Sequence, residues 1–134
     1  MNLVTKPVPQ TSPMTQPFWD AAAKGRLVLQ TCSECGTVRH YPRLLCTTCY
    51  SDQHVWQDSP GMGKIHSWTH AYHAFHAGFA HEIPYTLVTV DLDEGVRSLG
   101  IWRGPADLTI GMPVKGLYVV SHDRVDWVFE PLGQ

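Results

Sequence analysis

The feature that most restricts this chain is a pair of cysteine doublets, Cys32-Ser-Glu-Cys35 and Cys46-Thr-Thr-Cys49, separated by ten residues. Each C-x-x-C turn sets two thiolates at two corners of a tetrahedron. Two such turns, brought together by a short hairpin, supply all four. Gly36 follows the first doublet, where left-handed backbone lets amides point back at sulfur; the second doublet has Tyr50 in that place. Between them, Val38, Tyr41 and the Pro42-Arg43 turn fit a short β-ribbon. Cys32, Cys35, Cys46 and Cys49 are therefore read as the ligands of one structural metal. With sulfur at every corner, no position is left for water. Zinc is the expected ion, and four thiolates alone also admit iron. Two disulfides are the competing arrangement. A thioredoxin-type redox pair is weaker still, because it needs a βαβ context that this sequence lacks.

Compartment bears on that choice. Residues 1–17 hold one lysine, three prolines before Pro17 and no apolar run, so they read as neither a secretory signal nor a membrane span. No other stretch approaches the roughly 20 apolar residues a spanning helix needs. A cytoplasmic protein is expected, and there cysteines serve as ligands or thiols more often than as disulfides. Residues 1–16 are expected to be an arm without fixed structure of its own, lying along a partner or the domain surface.

The rest of the chain divides into residues 17–58, a helix plus the ribbon, and 59–134, a small barrel. Pro17 to Gly25 reads as a short helix: Pro17 suits a first turn, Ala21, Ala22 and Ala23 favour helix, and Gly25 stops it. Residues 26–30 read as a strand leading into the first doublet. Residues 64–72 alternate in the β manner, with His66, Trp68, His70 and Tyr72 on one face. Residues 85–92 and 96–102 form a hairpin about Asp93-Glu94-Gly95, and residues 114–120 and 125–129 form a second. Five short strands after a metal ribbon match an OB-type barrel. The predicted fold is mainly β: a short N-terminal helix, a rubredoxin-like zinc ribbon, then a five-stranded OB-fold barrel.

Charge limits the function classes. Lys and Arg number ten against twelve Asp and Glu, a formal charge of −2, and no basic run occurs. That argues against electrostatic grip on a phosphate backbone. A nucleic-acid binder nevertheless stands as the alternative reading, with Trp68 or Trp102 offered for base stacking. His66, His70, His73 and His76 invite a second metal site. On a strand, however, only His66 and His70 share a face, and no cysteine or carboxylate triad accompanies them. No nucleophile–base pair, open metal site or phosphate loop is present, so no catalytic residue is assigned and an independent enzyme ranks last.

The order of elements carries a resemblance. Phe18-Trp19, Cys32-x-x-Cys35-Gly36, Pro42-Arg43, Cys46-x-x-Cys49, Trp56, Ser59-x-Gly61-x-Gly63, Pro84-Tyr85, Leu92-Asp93-Glu94-Gly95 and Ile110-Gly111-Met112-Pro113-Val114 resemble the acyl-CoA-associated zinc-ribbon/OB-fold family, long catalogued as a domain of unknown function. The doublets are generic; the later motifs at these intervals are more specific. Thr47 and Tyr50 depart from the Pro and Gly common in the family's second doublet. The resemblance implies a small non-catalytic subunit of a thiolase-like or ketosynthase-like enzyme, in a hetero-oligomer whose partner carries the catalytic residues. It implies a coenzyme A thioester as shared ligand, handled by cleavage, condensation, aldol cleavage or acyl transfer. On that reading Phe75, Phe79 and Tyr85 line the acyl-CoA channel, and Arg39, Arg43, Lys64 and Arg97 are candidates for the CoA phosphates. The neutral, tryptophan-bearing surface then suits a face that a partner covers.

Overall fold

The computed structural model describes residues 6–121 and 124–133; the first five positions of the expected arm lie outside the described residues. Helix α1 (Gln16–Ala23) opens at Pro17, whose missing N–H is one a first turn leaves unpaired anyway. Gly25 ends it at φ +77°, a conformation that costs other residues a Cβ clash. Phe18, Ala21 and Ala22 form its buried face.

That face packs on β1 (Leu27–Cys32), which is buried along its whole length. The reason is its place in the middle of an antiparallel sheet, between β2 (Val38–Arg39) and β3 (His54–Ser59), with α1 laid against it. Strand β3 pairs with β1 from Leu27↔Ser59 to Cys32↔His54. The sequence pattern does not single out β3, because this edge strand is largely polar and its half-buried positions leave little alternation. Two polar side chains of β1 are buried and bonded locally, although Gln30 Nε2 has no partner among the described residues. Gln30 Oε1 accepts from Arg39 Nε at 2.7 Å and from the Arg43 amide at 2.8 Å. Thr31 Oγ1 donates to Gln57 Oε1 at 2.9 Å.

The second unit is a closed barrel of β4 (Met62–Ala71), β5 (Tyr85–Leu92), β6 (Arg97–Trp102), β7 (Pro113–Val120) and β8 (Val125–Pro131), ordered β4-β5-β6-β8-β7 with β7 returning to β4. The fold is thus mainly β, with one short helix, a zinc-ribbon cysteine set and a closed five-stranded OB-type barrel, as the sequence predicts. Closure is uneven. Strand β6 meets β8 in parallel over only two register pairs, Ile101↔Val128 and Trp102↔Phe129. Ile65, Val88, Val90, Val114 and Phe129 fill the interior, continuous with Phe18 and residues 27–29 of the ribbon unit. Gly100 permits this packing: a Cβ there would stand 2.6 Å from the Phe129 ring.

One expectation about β4 needs correction. Strict alternation sets Trp68 on the face opposite Ile65, yet Ile65 is buried and Trp68 packs against the same core. The register with β5 slips between Ile65 and Ser67, leaving His66 as an extra residue, and this bulge resets the phase. The described part of the arm lies on the barrel. Arg124 Nη1 donates to the Pro7 carbonyl at 2.8 Å, and Lys6 pairs with Glu82 at 2.6 Å.

Candidate functional site

The two cysteine doublets fold as equivalent turns. Gly36 N donates to Cys32 O, and Tyr50 N to Cys46 O, each at 3.0 Å. Cys32 N donates to Thr37 O, and Cys46 N to Ser51 O, each at 2.9 Å. Tyr50 takes the place of Gly36 at φ +63°, so the second turn needs left-handed backbone as the first does. The four sulfurs lie within 4.8 Å of one another, with Cys32–Cys49 at 3.5 Å and Cys35–Cys46 at 3.6 Å. A tetrahedron of Zn–S bonds of about 2.3 Å has edges of about 3.8 Å, so the set fits zinc.

Donor chemistry agrees. The amides of Cys49 and Thr48 bring the Cys46 thiol down to about 6. The Cys35 amide leads the lowering at Cys32. Cys49 receives the Ser51 amide, yet the Cys32 sulfur, burial and the other two thiols push it up to about 12. Four neighbouring sulfurs cannot all ionise without a cation among them. Cys32 and Cys46 are buried while Cys35 and Cys49 face outward, which suits a structural ion at the rim of the ribbon.

The residues expected to meet CoA fall into two groups. Arg39, Arg43 and Arg97 line one cleft of 460 Å³ between the ribbon and the β5–β6 turn. Their situations differ. Arg39 is buried, tied to Gln30 and, through Nη2 at 3.3 Å, to the Arg43 carbonyl; Arg43 and Arg97 are exposed. Asp91, which sequence reasoning passed over, lines the same cleft and takes Arg97 Nε at 2.9 Å and His66 Nδ1 at 3.2 Å. Arg97, then His66, holds its carboxyl below the usual range. Lys64 is the register partner of Asp91 on β4.

Phe75 and Phe79 lie elsewhere, in the connection that joins β4 to β5 at the far end of the hairpin. From Lys64 to Ala71 is roughly 23 Å at about 3.3 Å per strand residue. Phe75 is 83% exposed and Tyr72 73%, so neither has an interior to fill. Phe79 is half-buried: its ring packs by Tyr85 at 5.8 Å, with Lys6 at 5.1 Å and Arg124 at 5.7 Å.

The histidines do not converge. His66 is held by Asp91, His70 meets Thr86 Oγ1 at 2.8 Å, and His76 accepts from Gly78 N at 2.9 Å. Among the described residues the four cysteines are the one cluster of metal-ligand geometry. The tryptophans offered for base stacking are not free surfaces. Trp102 is 9% exposed with its Nε1 donating to Pro105 O, and Trp68 packs on the core. No helix among the described residues is long and apolar enough to cross a membrane.

Comparison with known proteins places the chain. Residues 19–55 match the model described as "ChsH2, rubredoxin-like zinc ribbon domain", and residues 56–119 match "ChsH2, C-terminal OB-fold domain". The chain belongs to the ChsH2-type zinc-ribbon/OB-fold family. A solved structure described as "Ltp2-ChsH2(DUF35) aldolase" superposes with a TM-score of 0.82 at 32% identity, over 92% of this chain and 98% of that one. Two longer relatives match over this family region. The "Probable enoyl-CoA hydratase alpha subunit" of Thermomonospora curvata is 39% identical over 100 residues, 72% of this chain and 31% of its own. The "3-oxo-4,17-pregnadiene-20-carboxyl-CoA hydratase alpha subunit" of Mycobacterium tuberculosis is 33% identical over 134 residues, 92% of this chain and 39% of its own. This ChsH2-family chain spans well under half the length of those two hydratase subunits.

Proposed function

We propose that this chain is a non-catalytic accessory subunit of a cytoplasmic enzyme of acyl-CoA metabolism. It docks on a thiolase-fold partner that carries the reacting residues and shares the CoA thioester with it. The observation that carries the reading is the β4–β5 hairpin. Exposed cations stand at one end, in the cleft of Arg43 and Arg97, and exposed aromatics, Tyr72 and Phe75, at the other. A ligand with phosphates at one end and an acyl thioester at the other has the matching polarity. Aromatic side chains with no interior to fill are the usual anchors of a protein interface.

Kinship supports the same reading. The structure described as an Ltp2-ChsH2(DUF35) aldolase and the two relatives described as CoA hydratase alpha subunits all carry the same ribbon and barrel. The shared ribbon and barrel therefore favour a supporting part in acyl-CoA metabolism, whichever reaction the partner carries out. The metal holds the ribbon, and Arg39, Gln30 and the Arg43 carbonyl hold the cleft wall that the ribbon contributes.

The test is co-expression with a thiolase-like protein encoded beside it, followed by size-exclusion chromatography. A stable complex is expected, and Phe75→Asp with Tyr72→Asp should weaken it by at least about tenfold. In the complex, Arg43→Ala and Arg97→Ala should raise KM for acyl-CoA with little change in kcat. Separate elution of the two proteins, or single-stranded oligonucleotide binding with a steep salt slope, would overturn the reading.

A further inference from the structure

The barrel seam opens into a second site. Where β6 diverges from β8, a cavity of 480 Å³ lies between Leu99 and Gly100 on one side and Val125 to Trp127 on the other. Helix α1 contributes Phe18 and Trp19 to its walls, the ribbon contributes His40 and Tyr41, and the barrel adds Tyr118. Gln10 and Ser12 of the arm lie across it.

We propose that this cavity is a binding site for an uncharged, ring-bearing apolar molecule. Three observations select that class. The volume falls in the range of small-molecule pockets, roughly 300–1,000 Å³. Aromatic rings enter the wall from all three units, and flat apolar ligands gain most from such faces. The wall also offers no free charge. Arg124 and Asp126 at its edge neutralise one another through Nε at 3.0 Å. Burial brings His40 down to about 4 and holds the Tyr118 phenol above its ordinary range, so both are neutral near pH 7.

The cavity is braced. Tyr41 Oη accepts from the Leu99 amide at 2.9 Å, tying the ribbon wall to the barrel wall. Nothing in the site calls for the partner subunit. It shares only His40 with the lining of the cleft of Arg43 and Arg97, and its test uses this chain alone, so its fate and that of the subunit reading are decided independently.

The experiment titrates the metal-loaded full chain with 6-propionyl-2-(dimethylamino)naphthalene, a neutral two-ring ketone whose emission moves to the blue in apolar surroundings. A saturable 1:1 shift is expected. Leu99→Trp, which fills the cavity from its barrel wall, should weaken it by at least about tenfold. Should Leu99→Trp fail to fold, Gln10→Trp places an indole in the roof without touching the barrel interior and should weaken it in the same direction. Anilinonaphthalene sulfonate, similar in size but anionic, should bind at least about tenfold less tightly than the ketone. No saturable shift with the neutral probe, equal binding of both probes, or binding unchanged in both variants would overturn the proposal.

Discussion

The ribbon and the barrel are both small antiparallel β-structures, yet they are held by different means. The barrel has an interior of its own, in which Val88, Val90, Val114 and Phe129 are fully shielded from solvent. The ribbon has one strand's worth of apolar burial, and that is borrowed from α1 and the barrel. Its tip exposes Leu44 at 67% and Tyr50 at 76%. Apolar burial alone cannot close so small a unit, and the four sulfurs supply the missing constraint. Two units of similar architecture in one chain thus divide the labour between coordination and hydrophobic packing.

Substitutions can separate the two mechanisms. The largest effect is expected from Cys46→Ser or strong chelation, since structural zinc sites contribute about 10–16 kcal/mol of apparent binding to small ribbons at neutral pH. Ribbon amides should lose protection from hydrogen exchange, while Val88 and Val90 keep theirs. Loss of both together would show one cooperative unit rather than two. In the barrel, Phe129→Ala should cost about 3–5 kcal/mol by denaturant titration, with the four-sulfur site still competent for metal by elemental analysis.

His40 sits between the two units, its ring centroid 5.7 Å from Phe18 and 3.9 Å from Tyr41. Burial lowers it to about 4, whereas the unfolded chain titrates near 6.5. Between those values the unfolded state binds more protons, so stability falls as pH drops from about 6.5 to about 4 and this contribution then levels off. The loss is at most about 3 kcal/mol. His40→Phe should remove that part of the acid slope, seen in paired denaturation curves at matched metal content. The smallest effect is expected at Tyr50, where glycine relieves the left-handed strain. Tyr50→Gly should stabilise the ribbon by up to about 1 kcal/mol, read as a higher chelator midpoint.

What was legible in the sequence follows the same division. The doublets announce the metal because thiolate spacing is a local property, and the alternation over residues 85–92 and 114–120 announces strands for the same reason. Strand β3 was not legible, since His54, Gln57 and Asp58 carry no pattern and only pairing with β1 makes them a strand. The bulge at His66 was hidden too: it depends on register against β5, and it turns Trp68 toward the core. Arg39, Arg43 and Arg97 could be named as cations. Their meeting in one cleft, the burial of Arg39 and the presence of Asp91 among them depend on how the ribbon docks on the barrel.

The bond from the Leu99 amide to the Tyr41 hydroxyl bears on how such proteins can be rebuilt. Ribbon and barrel look like interchangeable parts, each with its own boundary and its own family model. A barrel cut free, or fitted with a ribbon lacking this tyrosine, would keep its strands but present an uncapped N–H at its weakest seam. In this chain the two parts are matched across that contact, and an engineer exchanging either would need to carry the tyrosine across.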